Sequence, residues 1–141
     1  MDLAQFDSIK ACEEGAVMEI MHPTSGEILR DEETGEPWTI TFIGIDSKEL
    51  KAIQHTLQNK RLKALSRRGQ VEVTAEQIDS DELEMVIKAT RSWNHLQLDG
   101  NKIDCNDLTK RNIYSRFPWL LEQASFFING RKNFLGNSRK P

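Results

Sequence analysis

The sequence predicts an α+β protein in which a small antiparallel β region of about three strands, residues 1–45, packs on a mostly helical C-terminal two thirds, residues 46–135. Two observations lead to this class. Short runs of alternating apolar and polar residues, separated by turn residues, precede position 45 and are typical of half-buried strands. Capping residues and apolar stripes of helical period dominate after it. A chain of 141 residues fits one domain, which we place at 1–135, before a polar tail at 136–141 that we expect to be disordered.

The predicted strands lie in three short stretches. Residues 17–21 alternate, with Met18 and Ile20 on one face, and a Pro-Thr-Ser-Gly turn follows them. The chain then returns through residues 28–29, which we expect to form the second strand. Residues 38–45 alternate most clearly and should form the third. Three short strands cannot stand alone, so the apolar face of this sheet is expected to pack on a helix.

Two long helices are predicted after the strands. Asp46 or Ser47 caps the first helix, which runs to about Arg68 and carries a cluster of cations near its end, where the helix dipole favours them. A capping box at residues 74–77 opens the second helix. The apolar stripe of this helix extends to about Asn94, where we expect the helix to end.

A corner between two shorter helices is predicted near the C-terminus. Asn106 or Asp107 caps a helix that runs to Arg116. Pro118 suits the first turn of another helix and disfavours helical geometry at the residue before it. Phe117 therefore marks the corner.

The helix after this corner carries the candidate binding surface. Trp119, Gln123 and one of the adjacent Phe126 and Phe127 recur at spacings of three and four, so they share a face that is either core or interface. Phe126 and Phe127 point about 100° apart on a helix. One of the two rings should therefore be less buried and open to a partner.

The sequence shows no pattern that indicates catalysis, and we expect a protein that is not an enzyme and needs no cofactor. His22, His55 and His95 lie in different predicted elements and lack the spacing of metal ligands. Cys12 and Cys105 stand far apart, which is typical of reduced thiols and not of a zinc site or a disulfide. No phosphate-binding glycine loop or nucleophile elbow is present.

Charge and hydropathy restrict the partners. The net charge is −3, and acidic blocks at 1–45 and 71–108 alternate with basic blocks at 46–70 and 109–141. Such blocks can pair within the fold or between copies. The basic run at 60–68 contains no aromatic residue, so nucleic acid is not an expected partner. The chain also lacks a long apolar run that could span a membrane, and we expect an intracellular protein.

Two stretches of the chain resemble the tail assembly chaperones of long-tailed bacteriophages and prophages. One is the Arg-Phe-Pro-Trp corner at 116–119 with the amphipathic helix that follows it. The other is His22-Pro-Thr-Ser-Gly-Glu-Ile-Leu together with Ile43-Gly-Ile-Asp-Ser-Lys-Glu-Leu. The resemblance implies a protein of the host cell cytoplasm that binds the tape measure protein, keeps it soluble and recruits tail tube protein during tail assembly.

This role requires an exposed apolar surface that accepts helical segments, and we expect the protein to self-associate into a homo-oligomer. The candidate partner-binding residues are Arg116, Phe117, Trp119, Gln123, Phe126 and Phe127. The alternative from a different class is a structural tail or head-completion subunit that stays in the particle, for which the β region and the charge blocks would form ring contacts. A third alternative, a regulatory nucleic-acid binder, would show strongly salt-dependent DNA binding.

Overall fold

The structure is a computed structural model that describes residues 2–68 and 75–135, with the backbone alone for residues 65–68 and 75–79. The predicted fold class is confirmed: a three-stranded antiparallel sheet packs on helices that make up most of the C-terminal part. The predicted capping box at 74–77 and the predicted disordered tail at 136–141 lie partly or wholly outside the described residues.

The sheet contains β1 (Ala16–Glu19), β2 (Thr39–Phe42) and β3 (Thr90–Asn94), in the order β1-β2-β3. Ile40 at its centre pairs with Met18 on one side and Trp93 on the other. These three side chains are buried together, because directly paired residues of neighbouring strands point to the same face of a sheet. The sheet therefore has one apolar face, as the alternation predicts.

The predicted origin of one strand was wrong. Residues 28–29 form no strand, because Ile28 makes only an isolated bridge with Met21. The second neighbour of β2 is instead formed by residues 90–94, which were predicted to lie in a helix because their apolar residues continue its stripe. That helix ends at Ala89. Pairing with residues 90–94 satisfies the backbone N–H and C=O groups at the edge of β2, which would otherwise lack partners. The Thr and Trp of this segment also favour a β-strand. The tertiary partner therefore outweighs the local helical pattern.

Residues 20–38 join β1 to β2 through two tight turns, and we call this segment the ribbon. The N–H of Leu29 donates to the carbonyl of Ile20 at 2.9 Å, and the N–H of Trp38 donates to the carbonyl of Leu29 at 2.8 Å. The N–H of Ile20 in turn donates to the carbonyl of Trp38 at 2.9 Å. The ribbon thus folds back onto itself and remains attached to the sheet.

In residues 2–68 and 75–135, five α-helices, two short 3-10 helices and a small hairpin accompany the sheet. Ser47 precedes the first long helix and accepts a hydrogen bond from the N–H of Leu50, and Asn106 caps a later helix through the N–H of Thr109. Each is one of the two cap residues that the sequence left open at its helix. The helices are α1 (Ser8–Glu14), α2 (Lys48–Arg68), α3 (Ala75–Ala89), α4 (Asp107–Arg116) and α5 (Pro118–Asn129), and the hairpin strands are β4 (Gln97–Leu98) and β5 (Asn101–Lys102).

The main core lies between the inner face of the sheet and α3, α4 and α5. Tyr114 is fully buried there, and its hydroxyl shares a 2.7 Å hydrogen bond with the hydroxyl of Thr90, which also donates to the carbonyl of Val86. Burial raises the pKa of Tyr114 far above its usual value. A smaller core under α1 contains Cys12 and Phe134.

Candidate functional site

The corner between α4 and α5 forms as predicted. The N–H of Phe117 donates to the carbonyl of Ile113 at 2.9 Å, and the carbonyl of Phe117 accepts from the N–H of Leu120 at 3.0 Å. Pro118 occupies the start of α5, where a helix needs no N–H donor. Phe117 therefore joins the last turn of α4 to the first turn of α5.

Three of the predicted partner-binding residues cluster at this corner. The rings of Phe117 and Trp119 meet edge to face with their centroids 6.2 Å apart. The guanidinium of Arg116 lies 5.4 Å from the centroid of the Phe117 ring, a cation–π distance. Arg116 is exposed and the two rings are partly exposed, so all three can be reached from solvent.

A partly enclosed cavity of 170 Å³ lies against the corner. Its buried floor and partly exposed rim come from the ribbon, from the segment around the β4–β5 hairpin and from the corner itself. All of the lining residues except Gln97 are apolar: Ile20, Leu29, Trp38, Leu96, Gln97, Ile103, Ile113, Phe117, Trp119 and Leu120. An apolar cavity of about 150 Å³ in another protein holds benzene. This cavity therefore has room for one aromatic ring.

One wall of the cavity carries an unsatisfied donor. Nε1 of Trp38 is buried and has no acceptor in the described part of the chain. By contrast, Nε1 of Trp93 donates to the carbonyl of Ile103 at 2.8 Å. A buried N–H without a partner costs about 1–3 kcal/mol. In the described residues, the indole N–H of Trp38 at the cavity wall therefore lacks the kind of hydrogen bond that the indole of Trp93 makes in the core.

Gln123 holds the ribbon to α5. Its side-chain oxygen accepts from the N–H of Met21 at 3.1 Å, and its side-chain nitrogen donates to the carbonyl of Met21 at 2.8 Å. This pair of bonds occupies the outer edge of the ribbon in the way that another strand would. The Gln123 amide is thus already engaged inside the protein.

The two adjacent phenylalanines have different environments. Phe127 is partly buried, and its ring lies 5.9 Å from that of Phe42 and 5.6 Å from that of Phe134, so it joins the two cores. Phe126 is 81% exposed. The prediction that one of the two rings is less buried is confirmed, and the exposed ring is that of Phe126. Phe127 is a core residue in the structure.

Trp119 and Phe126 lie on one stripe of α5. They are seven residues apart, which on an α-helix is about 10.5 Å of rise and nearly two full turns. The cavity adjoins the first residue, and the exposed ring belongs to the second. Trp119 at the cavity wall and the exposed ring of Phe126 therefore belong to one stripe of α5, about 10.5 Å apart along the helix axis.

Sequence reasoning missed a second groove, of 280 Å³, between α2, α3 and α5. Leu57 and Met85 contribute apolar walls, and a salt bridge between Arg61 and Asp81 crosses it. Arg61 belongs to the basic run, so one of its cations is paired inside the fold. Only the docking of the three helices creates this groove, and no motif marks it.

An ion pair fastens the C-terminal end of α5 to the start of α2. Asp46 is buried, and the guanidinium of Arg131 donates to its two oxygens at 2.6 and 3.0 Å. These hydrogen bonds, helped by Ser8 and Lys51, lower the pKa of Asp46 to about 2 despite its burial. The pair helps to hold the surface of α5 in place.

The predicted absence of catalytic groups stays a prediction. Cys12 and Cys105 are free thiols whose pKa values are raised by burial. His95 bonds Glu36 at 2.8 Å through Nε2, so it helps to attach the ribbon to the chain after β3. Among residues 2–68 and 75–135, no group of histidine, cysteine or carboxylate side chains is arranged to hold a metal ion. In the same residues, no helix is both long and apolar enough to cross a membrane.

No protein-family model matches this sequence, and neither a curated protein nor a solved structure shows significant similarity to it.

Proposed function

We propose that this protein is a tail assembly chaperone of a long-tailed bacteriophage or prophage. It binds the tape measure protein in the host cell cytoplasm, keeps that protein soluble and recruits tail tube protein. The proposal starts from the resemblance of the 116–119 corner and of residues 22–29 and 43–50 to such chaperones. The structural observation that supports it best is the exposed ring of Phe126 on the same stripe of α5 as Trp119, a residue of the apolar cavity wall.

Such a surface suits a helical partner for a physical reason. A long helical protein awaiting assembly presents apolar side chains at spacings of three and four, and these need a cover that can later be removed. One cavity of 170 Å³ and one projecting ring offer a small contact. A small contact binds weakly enough for tail tube protein to displace it.

The exposed cation at the corner adds a polar edge to this surface. The guanidinium of Arg116 lies over the ring of Phe117 at the rim of the cavity. There it can pair with an acidic side chain of the partner without being buried. Glu122 is the one acidic residue within α5, so this helix carries little negative charge that would repel an acidic partner. We therefore expect tape measure segments with an apolar stripe and a flanking acidic residue.

The test is co-expression with the long helical tail protein encoded beside this chain. The chaperone proposal predicts that the long protein becomes soluble and co-purifies with it. Phe126→Asp should abolish both effects. Leu108→Asp is the matched control, because Leu108 is 79% exposed on α4 and lies outside the candidate surface.

Two results would contradict the proposal. The first is a long protein that stays insoluble and unbound when the wild-type chain is present. The second is equal loss of binding in the Phe126 and Leu108 variants, which would point to non-specific stickiness. Detection of this chain by mass spectrometry in purified virions would favour the alternative, a structural tail or head-completion subunit.

A further inference from the structure

We propose that the outer edge of β1 accepts an extended segment of another protein as an added strand, with a lysine or arginine of that segment beside Glu19. The strand order β1-β2-β3 puts β1 at the edge of the sheet, and in the described residues it pairs with β2 alone. The proposal rests on the backbone of this edge and does not depend on the proposed function.

Alternate residues of β1 turn their backbone groups away from β2. The N–H of Ile20 donates to the carbonyl of Trp38 at 2.9 Å, so the even-numbered residues of this strand are the ones that bond towards β2. The N–H and C=O groups of Val17 and Glu19 therefore point outwards. In the part of the chain that the structure describes, these groups make no hydrogen bond, and both residues are partly exposed.

Gln123 already binds the same edge in the way that a strand would. Met21 lies two residues beyond Glu19, and its N–H and C=O both bond to the Gln123 side chain, at 3.1 and 2.8 Å. Residues i and i+2 of a strand share a hydrogen-bonding direction and lie about 6.6 Å apart. The outward groups of Val17 and Glu19 thus continue a line of donors and acceptors that is occupied at one end. An extended main chain has the groups that match this line.

The side chains at the edge select the added segment. Val17 and Glu19 lie on the outer face of the sheet, because the alternate residues Ala16 and Met18 are buried on the inner face. Glu19 forms no ion pair within the described residues. Opposite charges on neighbouring strands stabilise their pairing, whereas like charges weaken it. The edge therefore favours a segment that carries an apolar residue and a basic residue two positions apart.

The same features keep the edge from binding strands in general. Proteins protect open edges by making the edge strand short and by placing a charge on it. β1 is four residues long and carries Glu19, so it rejects acidic strands and offers few hydrogen bonds. The added strand is therefore bound weakly and reversibly, with basic character as the condition for binding.

The probe is a synthetic acetylated peptide that repeats Thr-Val-Thr-Lys twice, titrated into the ¹⁵N-labelled full chain and followed by NMR. We expect the largest changes of chemical shift, and slower hydrogen exchange, at the amides of Val17 and Glu19. A peptide with glutamate in place of lysine should bind several-fold more weakly. A lysine peptide that is N-methylated along one edge should not bind, because it lacks the main-chain donors.

Two kinds of substitution separate the backbone from the charge. Glu19→Pro removes an outward N–H but none of the bonds to β2, and proline is tolerated at such edge positions. It should raise the Kd of the lysine peptide about tenfold or more. Glu19→Gln keeps the N–H, so it should still bind both peptides but no longer distinguish lysine from glutamate. Val17→Pro repeats the backbone test at the second position, and circular dichroism checks that each variant keeps its fold.

Three results would overturn the proposal. The first is a titration in which the amides of Val17 and Glu19 do not respond to the lysine peptide. The second is equal binding of the N-methylated peptide by the wild-type chain, a comparison that needs no folded variant. The third is a concentration-dependent dimer in sedimentation velocity that Glu19→Pro abolishes, because it would assign this edge to a second copy of the chain.

Discussion

The ion pair between Asp46 and Arg131 predicts a defined loss of stability in acid. The pKa of Asp46 is about 2 in the folded protein, whereas an unfolded aspartate has a pKa of about 3.9. The folded state therefore favours the ionised carboxylate of Asp46, and the resulting stabilisation of the fold is fully present well above pH 4. It is lost as the pH falls towards 2. A difference of roughly 1.9 pKa units corresponds to about 2.5 kcal/mol.

This magnitude is an upper value. Asp46 is only 8% exposed in its side chain, but Arg131 is 60% exposed, so solvent screens part of the interaction. We expect a contribution of about 1–2 kcal/mol, with about half of it lost by pH 3. Asp46→Asn has no carboxylate to titrate and should lack this part of the acid sensitivity.

The assay is urea unfolding followed by tryptophan fluorescence at pH 7 and at pH 3. Wild type should lose about 0.5–1 kcal/mol more of its free energy of unfolding between the two pH values than Asp46→Asn does. The comparison removes the contributions of other carboxylates, since both proteins contain them. An equal loss in the two proteins would refute the reasoning.

Three further substitutions have expected outcomes that the same unfolding assay can measure. Gly44→Ala should cost about 1–3 kcal/mol, because the added Cβ would lie 2.8 Å from Cys12 Cβ; a cost near zero would show that the small core can yield. Tyr114→Phe should cost about 1 kcal/mol, since the Thr90 hydroxyl keeps its bond to the backbone, and a loss above about 3 kcal/mol would contradict this. Gln123→Ala should cost about 1–2 kcal/mol and speed amide hydrogen exchange in the ribbon, and unchanged exchange would show that the amide does not hold that edge.

The α5 region shows what the sequence could and could not predict. Proline at position 118, the cap at Asn106 and the spacing of the aromatics are local signals, and the structure follows them. Periodicity also predicts that Phe126 and Phe127 differ in burial. It cannot say which ring is inside, because Phe42 and Phe134, distant in the chain, form the contacts that decide this.

The cavity and β3 lay beyond local reasoning for the same physical cause. The cavity needs three separate parts of the chain to meet, and no one of them carries a signature of it. Trp93 stands four residues after Ala89 and so continues the helical stripe, yet it pairs with Ile40 in the sheet. Strand formation there depends on an edge that the chain supplies some fifty residues earlier.

The late origin of β3 also affects the order in which the molecule can be built. Thr90 pairs with Phe42 and Trp93 with Ile40, so the sheet closes only after both long helices have been synthesised. The pair of β1 and β2 alone would be only marginally stable in water, as isolated two-stranded hairpins are. The first 45 residues should therefore leave the ribosome without a lasting fold and acquire one only when residues 90–94 follow.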